Sequence, residues 1–133
     1  MITGELRSFV EEVNYALVAS ADGTGTPHLA SGKGLRIPDP GHLVFEAWFC
    51  RRTLENLSNN RRVAVAVVEW PSGKGYQFIG TVSEITETGI LDGFSPQDEP
   101  SGIPQVCWRL TVRVDEILEF SHGIHGDTPM PLD

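Results

Sequence analysis

Apolar residues near the start of the chain recur with the period of a helix. They fall at positions i, i+3, i+4 and i+7 and therefore share one helical face: Leu6, Phe9, Val10 and Val13. Thr3 stands just before them as a suitable N-cap, because its hydroxyl can accept a first-turn N–H. We therefore predict an amphipathic helix over residues 4–14.

Beyond this helix the pattern becomes that of β-strands. Apolar and β-branched runs alternate with clusters of Gly, Pro, Asp and Asn, as in strands joined by turns. Six strands are predicted, over residues 15–21, 27–37, 42–50, 63–68, 76–85 and 106–114, the last continuing unevenly towards Phe120. A second short helix is expected over residues 51–60 and a third within residues 87–104. Residues 63–68 are almost entirely apolar, which is typical of a strand covered on both faces.

The connections between the predicted strands indicate the fold class. Two of them, Asp22–Gly25 and Pro38–Gly41, have the composition of tight turns. Strands in close succession, with only two or three short helices, favour an antiparallel barrel over alternating β–α units. At 133 residues the chain is predicted to be one domain over residues 1–120, followed by a Gly-, Pro- and His-rich tail over residues 121–133.

The composition excludes several classes of protein. Hydrophobic residues make up 40% of the chain and charged residues 21%, so extended disorder is not expected. No apolar run approaches the ~20 residues that a membrane helix needs, and the first ten residues lack a secretory signal pattern. The two cysteines, Cys50 and Cys107, form neither a disulfide framework nor a C-x-x-C pair. We therefore expect a cytoplasmic protein.

Charge is distributed unevenly along the chain. The formal net charge of -8 argues against nucleic acid as the main partner. Seven of the ten basic residues nevertheless lie between Lys33 and Lys74, which include the pairs Arg51-Arg52 and Arg61-Arg62. This concentration is compatible with a small bound anion, but charge alone favours the alternative, in which the arginines are solvated on a surface helix.

The segment Arg51-Arg52-Thr53 stands where a predicted strand passes into a helix. A helix start offers unpaired N–H groups, a threonine hydroxyl can donate there, and arginines bind phosphate through two-pronged hydrogen bonds. The segment therefore has the chemistry of a phosphate cradle. The alternative is that Thr53 only caps the helix while both arginines face water.

Two glycines, Gly32 and Gly34, flank Lys33 within a predicted strand. Glycine weakens a strand interior, so this pair indicates a bulge or a place where a ligand meets the backbone.

Together these motifs resemble the pyridoxamine 5'-phosphate oxidase-related family of FMN-binding split barrels, in particular its small bacterial FMN-binding proteins. The resemblance covers roughly residues 16–85. Its landmarks are Asp22-Gly23-Thr24-Gly25-Thr26-Pro27-His28, the Arg-Arg-Thr turn, Asn59-Asn60-Arg61-Arg62-Val63 and Gly80. The implied fold is a six-stranded antiparallel split β-barrel of Greek-key type.

The resemblance also implies a cofactor, FMN, and a set of residues that bind it. Arg51, Arg52 and Thr53 would hold its phosphate, whereas Ser31, Gly32 and Lys33 would meet the isoalloxazine ring. Gln77 is a further candidate, placed only by strand alternation. In such a family the flavin lies between two subunits, so the resemblance implies a homodimer. Alternatively, Lys33 is an exposed lysine that prevents a sheet edge from pairing with another chain. Trp48 and Phe49 are expected in the core or on the dimer surface.

Departures from the family pattern limit the expected activity. True pyridoxamine phosphate oxidases carry Arg-Leu-His-Asp-Arg near the C-terminus, where this chain has Arg109-Leu110-Thr111-Val112-Arg113, without a histidine. This difference argues against vitamin B6 oxidation. Some relatives bind a deazaflavin or haem. Two functions stay open: an FMN-dependent oxidoreductase or electron carrier with an unknown small-molecule substrate or redox partner, and a split-barrel dimer that binds a ligand without redox chemistry.

The remaining polar residues give no second site. His122, His125 and Asp127 lie in the tail without another strong ligand nearby, so we predict no metal site. His28 is interpreted as a turn or surface histidine, and Cys50 as a buried, inert thiol. No nucleophile–base signature is present.

Overall fold

Two helices and seven strands make up the described part of the computed structural model, which comprises residues 1–90, 106–123 and 126–131. In chain order they are α1 (Gly4–Val13), β1 (Tyr15–Ala21), β2 (Pro27–Lys33), β3 (Leu35–Asp39), β4 (His42–Trp48), α2 (Arg51–Leu57), β5 (Arg62–Val68), β6 (Gly75–Ile90) and β7 (Val106–Phe120). None of these helices is long and apolar enough to cross a membrane.

All seven strands belong to one antiparallel sheet in the order β2-β1-β5-β6-β7-β4-β3. β2 and β3 follow each other in the chain yet form opposite edges of the sheet. Only Gly34 separates them, in a left-handed conformation with φ of 78°, which glycine adopts without steric cost. The sheet thus curls without closing, which confirms the mainly-β split-barrel prediction. The number of strands is seven rather than six, because the predicted strand over residues 27–37 breaks at Gly34.

Helix α1 has the predicted face and cap. The Leu6 N–H donates to the Thr3 hydroxyl at 3.2 Å, and both Leu6 and Val10 are buried. The helix ends at Asn14, whose left-handed backbone turns the chain into β1. The Asn14 side-chain oxygen accepts the Leu35 N–H at 3.1 Å, so the helix end is tied to the start of β3.

The core is built from alternate residues of the strands, as expected for a sheet with one face turned inward. On β5, Val63, Val65 and Val67 are buried, whereas Ala64, Ala66 and Val68 on the other face are only half-buried. The largest fully buried side chains are Trp48, Phe45 and Phe78. The rings of Phe45 and Trp48 meet edge to face, with centroids 5.0 Å apart.

Several boundaries differ from the predicted ones. β4 ends at Trp48, two residues early, and α2 ends at Leu57. β6 continues to Ile90, so the third helix is wrong for residues 87–90; residues 91–105 lie outside the described part of the chain. β6 is long because it pairs with β7 along its whole length, with three register shifts.

The segment after β7 folds back onto that strand. The Glu119 N–H donates to the Thr128 carbonyl at 3.2 Å, and the Met130 N–H donates to the Ile117 carbonyl at 2.9 Å. Met130 is half-buried against the core. Residues 128–130 therefore satisfy hydrogen-bonding groups of β7. His125 lies outside the described residues.

Candidate cofactor site

The first turn of α2 lies where the phosphate cradle was predicted. β4 ends at Trp48, Cys50 has the extended backbone of an N-cap, and the helix begins at Arg51. Cys50 makes no side-chain hydrogen bond to the helix start. Because the first N–H groups of a helix have no partner within it, those of α2 are left for another acceptor.

Arg51 and Arg52 are exposed beside these N–H groups. Within the described chain, no hydrogen bond or ion pair engages the Arg51 side chain. Arg52 has only a 3.9 Å ion pair to Glu55, between two side chains that are both largely exposed. Such pairs contribute little, so both guanidinium groups can bind an external anion.

Most other arginines already have carboxylate partners. Arg36 and Arg109 both bind Glu46, at 2.6 and 3.0 Å, and these bonds, that of Arg36 foremost, hold the Glu46 pKa below its ordinary value. Arg62 and Arg113 both bind Asp115, at 2.9 and 3.2 Å. Arg61 has no carboxylate partner, but its guanidinium donates to the Val82 carbonyl at 3.3 Å. Among the described arginines of the basic segment, Arg51 and Arg52 therefore have the weakest intramolecular partners.

Thr53 lies beneath the surface and does not cap the helix. Its side chain is completely buried, and its hydroxyl has no hydrogen-bond partner among the described residues. One turn later, the buried Asn56 donates from its amide to the Ser20 hydroxyl at 3.0 Å, which anchors α2 to β1. An approaching anion would therefore meet the arginines and the backbone N–H groups before the Thr53 hydroxyl.

Ser31, Gly32 and Lys33 form the end of β2, opposite Leu17, Ala16 and Tyr15 of β1. The Ser31 and Lys33 side chains are exposed. Gly32 lies opposite the buried Ala16 and so faces inward. Lys33 has no ion pair or hydrogen bond from its side chain within the described chain, so its charge is available to a ligand.

Packing within the fold explains why residue 32 is a glycine. A Cβ atom on Gly32 would lie 2.2 Å from Cζ3 of Trp48, so the indole ring packs directly against the glycine backbone. Gly34 is needed for the left-handed break between β2 and β3. Both glycines thus serve the chain's own packing, whether or not a ligand also meets this backbone. The Gly32–Trp48 contact also brings β2 to the end of β4, three residues before Arg51.

Gln77 lies farther away, although it shares a face with Ser31. The register joins Ser31 to Leu17, Leu17 to Ala66, and Ala66 to Gln77. Directly paired residues project on the same side of a sheet, and three strand spacings amount to roughly 14 Å. The fold therefore brings the β2 and α2 candidates together, whereas Gln77 stands apart from the β2 candidates.

Two buried polar residues near this site, Ser20 and Asn56, were missed by the sequence analysis, as was the burial of one ring nitrogen of His28. His28 lies on β2 directly opposite Ser20, and its Nδ1 is buried without a hydrogen-bond partner in the described chain. Strand alternation could have found it, because His28 has the same parity as Gly32 and therefore faces inward. His28 is therefore half-buried, with one ring nitrogen inside the fold, and is not a fully exposed surface residue.

The described residues contain no group of three or more His, Cys, Asp or Glu that could hold a metal ion. Cys50 is half-buried and packs against the core, and Trp48 is a core residue, whereas Phe49 is exposed.

Comparison with known proteins identifies a protein family that matches most of the chain. The sequence model described as "Pyridoxamine 5'-phosphate oxidase" matches residues 2–114. No curated protein matches the sequence.

Solved structures with this fold include HupZ from Group A Streptococcus, at 22% identity and a TM-score of 0.70, with 95% of this chain and 99% of that chain covered. A pyridoxamine 5'-phosphate oxidase-related, FMN-binding protein from Nostoc punctiforme has 10% identity and a TM-score of 0.63, with 89% and 83% covered. An FMN-binding protein from Syntrophomonas wolfei has 15% identity and a TM-score of 0.58, with 86% and 83% covered. At these identities the likeness concerns the fold.

Proposed function

Because this chain belongs to the pyridoxamine 5'-phosphate oxidase family, we propose that it binds a flavin, namely FMN, and acts as an oxidoreductase or electron carrier. The observation that carries the proposal is the first turn of α2, with two exposed arginines, Arg51 and Arg52, that lack strong intramolecular partners. A phosphate cradle on this turn would favour a flavin that carries a terminal phosphate, such as FMN, over riboflavin.

The residues present fit an FMN phosphate. Two guanidinium groups and the N–H groups of a helix start are donors of the kind that bind phosphate. Beneath them, the completely buried Thr53 hydroxyl is a polar group without a partner in the described chain, and such groups are costly unless something satisfies them. A bound phosphate is one acceptor that could draw this hydroxyl towards the helix start.

Ser31, Gly32 and Lys33 are proposed to meet the ring. They lie on the strand that Trp48 holds against the end of β4, and Lys33 contributes an unpaired positive charge, which would favour an anionic ring. Gln77 is proposed only as a distant contact across the same sheet face. When bound, a flavin supplies hydride or electron transfer, and the protein's part is to bind and orient it.

The outer face of the sheet supports a homodimer with the flavin at its interface. Leu29 on β2 is 66% exposed and Leu17 on β1 is 41% exposed, although both are large apolar side chains. β5 beside them is apolar on both faces, yet Ala64 and Ala66 are only half-covered within one chain. An exposed apolar face of this kind is typical of a protein interface, and a second copy would bury it.

The arrangement of Arg109 and Arg113 does not favour vitamin B6 oxidation. Both occupy the positions closest to the substrate-phosphate motif of true pyridoxamine phosphate oxidases, and both are bound to carboxylates, Glu46 and Asp115. The substrate is accordingly proposed to be a different small molecule or a redox partner.

Titration of the flavin-free protein with FMN, followed by quenching of flavin fluorescence, tests the proposal. Replacing both Arg51 and Arg52 by alanine should weaken binding by at least about tenfold, since hydrogen bonds to charged groups contribute about 1.5–3 kcal/mol each. Arg62→Ala is the matched control, because it removes an exposed arginine that already has a carboxylate partner. Equal FMN affinity in the double variant and the control would refute the assignment of α2 as the phosphate site.

A further inference from the structure

A cavity that no residue of α2 lines lies at one end of the barrel. It opens between the C-terminal end of α1, the first residue of β1 and the loop that joins β5 to β6, and its volume is about 350 Å³. The residues that define this Trp70 pocket are Phe9, Glu12, Tyr15, Val68, Glu69 and Trp70. Sites for small organic molecules occupy about 300–1,000 Å³, so the pocket is large enough for a small ligand.

The walls of the Trp70 pocket are apolar and aromatic. Phe9 is half-buried and meets Tyr76 edge to face, while Tyr15 makes only a long, 3.4 Å hydrogen bond to the Val68 carbonyl. Trp70 is 62% exposed, which is unusual for so large an apolar side chain. Aromatic faces that remain open to solvent attract cations, and tryptophan does so best.

Both formally charged residues that line the pocket are carboxylates, Glu12 and Glu69. Glu12 lies in the last turn of α1, where the helix dipole disfavours a negative charge. It makes no hydrogen bond or ion pair within the described chain. Its neighbour Glu11 has a structural role, because it accepts the Ile37 N–H at 3.1 Å. Glu12 is exposed and solvated instead, so its carboxylate is available to a ligand in the pocket.

The loop that carries Trp70 is held in place by its own hydrogen bonds. The Gly73 N–H donates to the Glu69 carbonyl at 2.9 Å, and the Ser72 hydroxyl donates to the Glu69 carboxylate at 2.7 Å. The Trp70 ring lies 5.9 Å from the ring of His122, centroid to centroid. The indole and one carboxylate are therefore positioned before any ligand arrives, which lowers the entropic cost of binding.

We propose that the Trp70 pocket binds a small organic cation with an apolar body, such as an aromatic or alkyl quaternary ammonium compound. The body would pack against Phe9 and Val68, and the positive charge would lie between the Trp70 face and the two carboxylates. This inference does not depend on the proposed flavin function, since none of the flavin candidates lines the pocket. Lys33 is the nearest of them along the sheet, because it pairs with Tyr15 across β1 and β2.

The test uses the full chain without flavin and benzyltrimethylammonium as the probe. Backbone amide and tryptophan indole NMR signals are followed during titration, with benzenesulfonate as an aromatic probe of opposite charge. The cation should produce saturable shifts confined to residues 9–15 and 68–71, and benzenesulfonate should produce none there. Shifts of similar size with both probes, or none with the cation, would overturn the proposal.

Variants identify the groups responsible. Glu12→Gln and Trp70→Leu should each weaken binding of the cation by about threefold to fivefold, as exposed ion-pair and cation–π contacts predict. Glu116→Gln is the control, because Glu116 is also an exposed glutamate but does not line the pocket. Unchanged affinity in both pocket variants would refute the assignment. Val68 shares the sheet face proposed for the dimer, so the titrations are run at one protein concentration. A cation that binds only when the dimer dissociates would mean that a second copy of the chain occupies the pocket, which also excludes the proposal.

Discussion

The indole ring of Trp48 rests directly on the backbone of Gly32, and a Cβ atom on this glycine would stand 2.2 Å from Cζ3 of the ring. Trp48 is the largest fully buried side chain, so the ring has little room to move away. The contact joins the inner face of β2 to the end of β4. It therefore determines how close the proposed ring-binding segment lies to the proposed phosphate turn.

Gly32→Ala should destabilise the protein by about 1–3 kcal/mol, because an added methyl group in a filled core forces its neighbours to shift. Urea unfolding measures the change. Gly4→Ala is the control, since nothing lies within 4 Å of a Cβ there, and it should be neutral or slightly stabilising. A second core change, Trp48→Leu, should cost less in the Gly32→Ala background than in the natural chain; full additivity would contradict the contact.

Ser20→Ala should destabilise the protein by about 1–3 kcal/mol, because the buried Asn56 amide would lose its acceptor. Thr53→Val removes a hydroxyl that has no partner in the described chain, so without flavin it should be neutral or stabilising by up to about 1 kcal/mol. Unfolding measurements on the flavin-free protein compare the two. A loss of stability in Thr53→Val as large as that in Ser20→Ala would show that this hydroxyl already has a partner.

Glu46 should contribute to stability in a pH-dependent way. Arg36 and Arg109 hold its pKa in the folded state below the ordinary value of about 4.3. Its contribution is therefore present above about pH 4.3 and is lost as pH falls through the lower, folded-state pKa. Glu46 and both arginines are more than a third exposed, so each pair should contribute less than about 1 kcal/mol.

Unfolding of Glu46→Gln at neutral and acid pH tests this account. The difference in unfolding free energy from the natural chain should be largest near neutrality and shrink in acid. The control is Glu116→Gln, which removes a glutamate without a hydrogen bond or ion pair in the described chain. If the difference in unfolding free energy for Glu46→Gln grew on acidification, it would contradict the lowered pKa of Glu46 in the folded state.

Leu29→Glu should prevent the proposed dimer, because it places a charge at the most exposed large apolar side chain of the outer sheet face. Light scattering after size exclusion should give twice the chain mass for the natural protein and one chain mass for the variant. Ser8→Glu, on the exposed face of α1, should leave the dimer intact. A natural protein that is monomeric at all accessible concentrations would rule out the interface.

The sequence predicted the fold class because local signals agree with the tertiary structure. The amphipathic face and Thr3 cap of α1 are both present. Asp22 accepts the N–H groups of Thr24 and Thr26, both at 2.9 Å, in the hairpin turn that was predicted. Such features depend on residues close in sequence, so they can be recognised without knowledge of distant contacts.

Features that depend on distant contacts were not predicted. The break at Gly34 separates two strands that pair with opposite ends of the sheet, which no local pattern reveals. From the sequence, Gly32 suggested a place where a ligand meets the backbone. The structure shows that the Trp48 ring packs against that backbone. Thr53 does not cap the helix, and the complete burial of its side chain was not predicted. The arginines of α2 became distinct only when Arg36, Arg62 and Arg109 were found with carboxylate partners on other strands.

The most direct measurement is the visible absorption spectrum of the protein purified without added cofactor, with mass spectrometry of any ligand released on denaturation. The account predicts absorption bands of a bound flavin and FMN in the denatured supernatant, or, if the purified protein is colourless, tight binding of added FMN. A colourless protein that does not bind added FMN would contradict the proposed function and favour a binding protein without flavin chemistry.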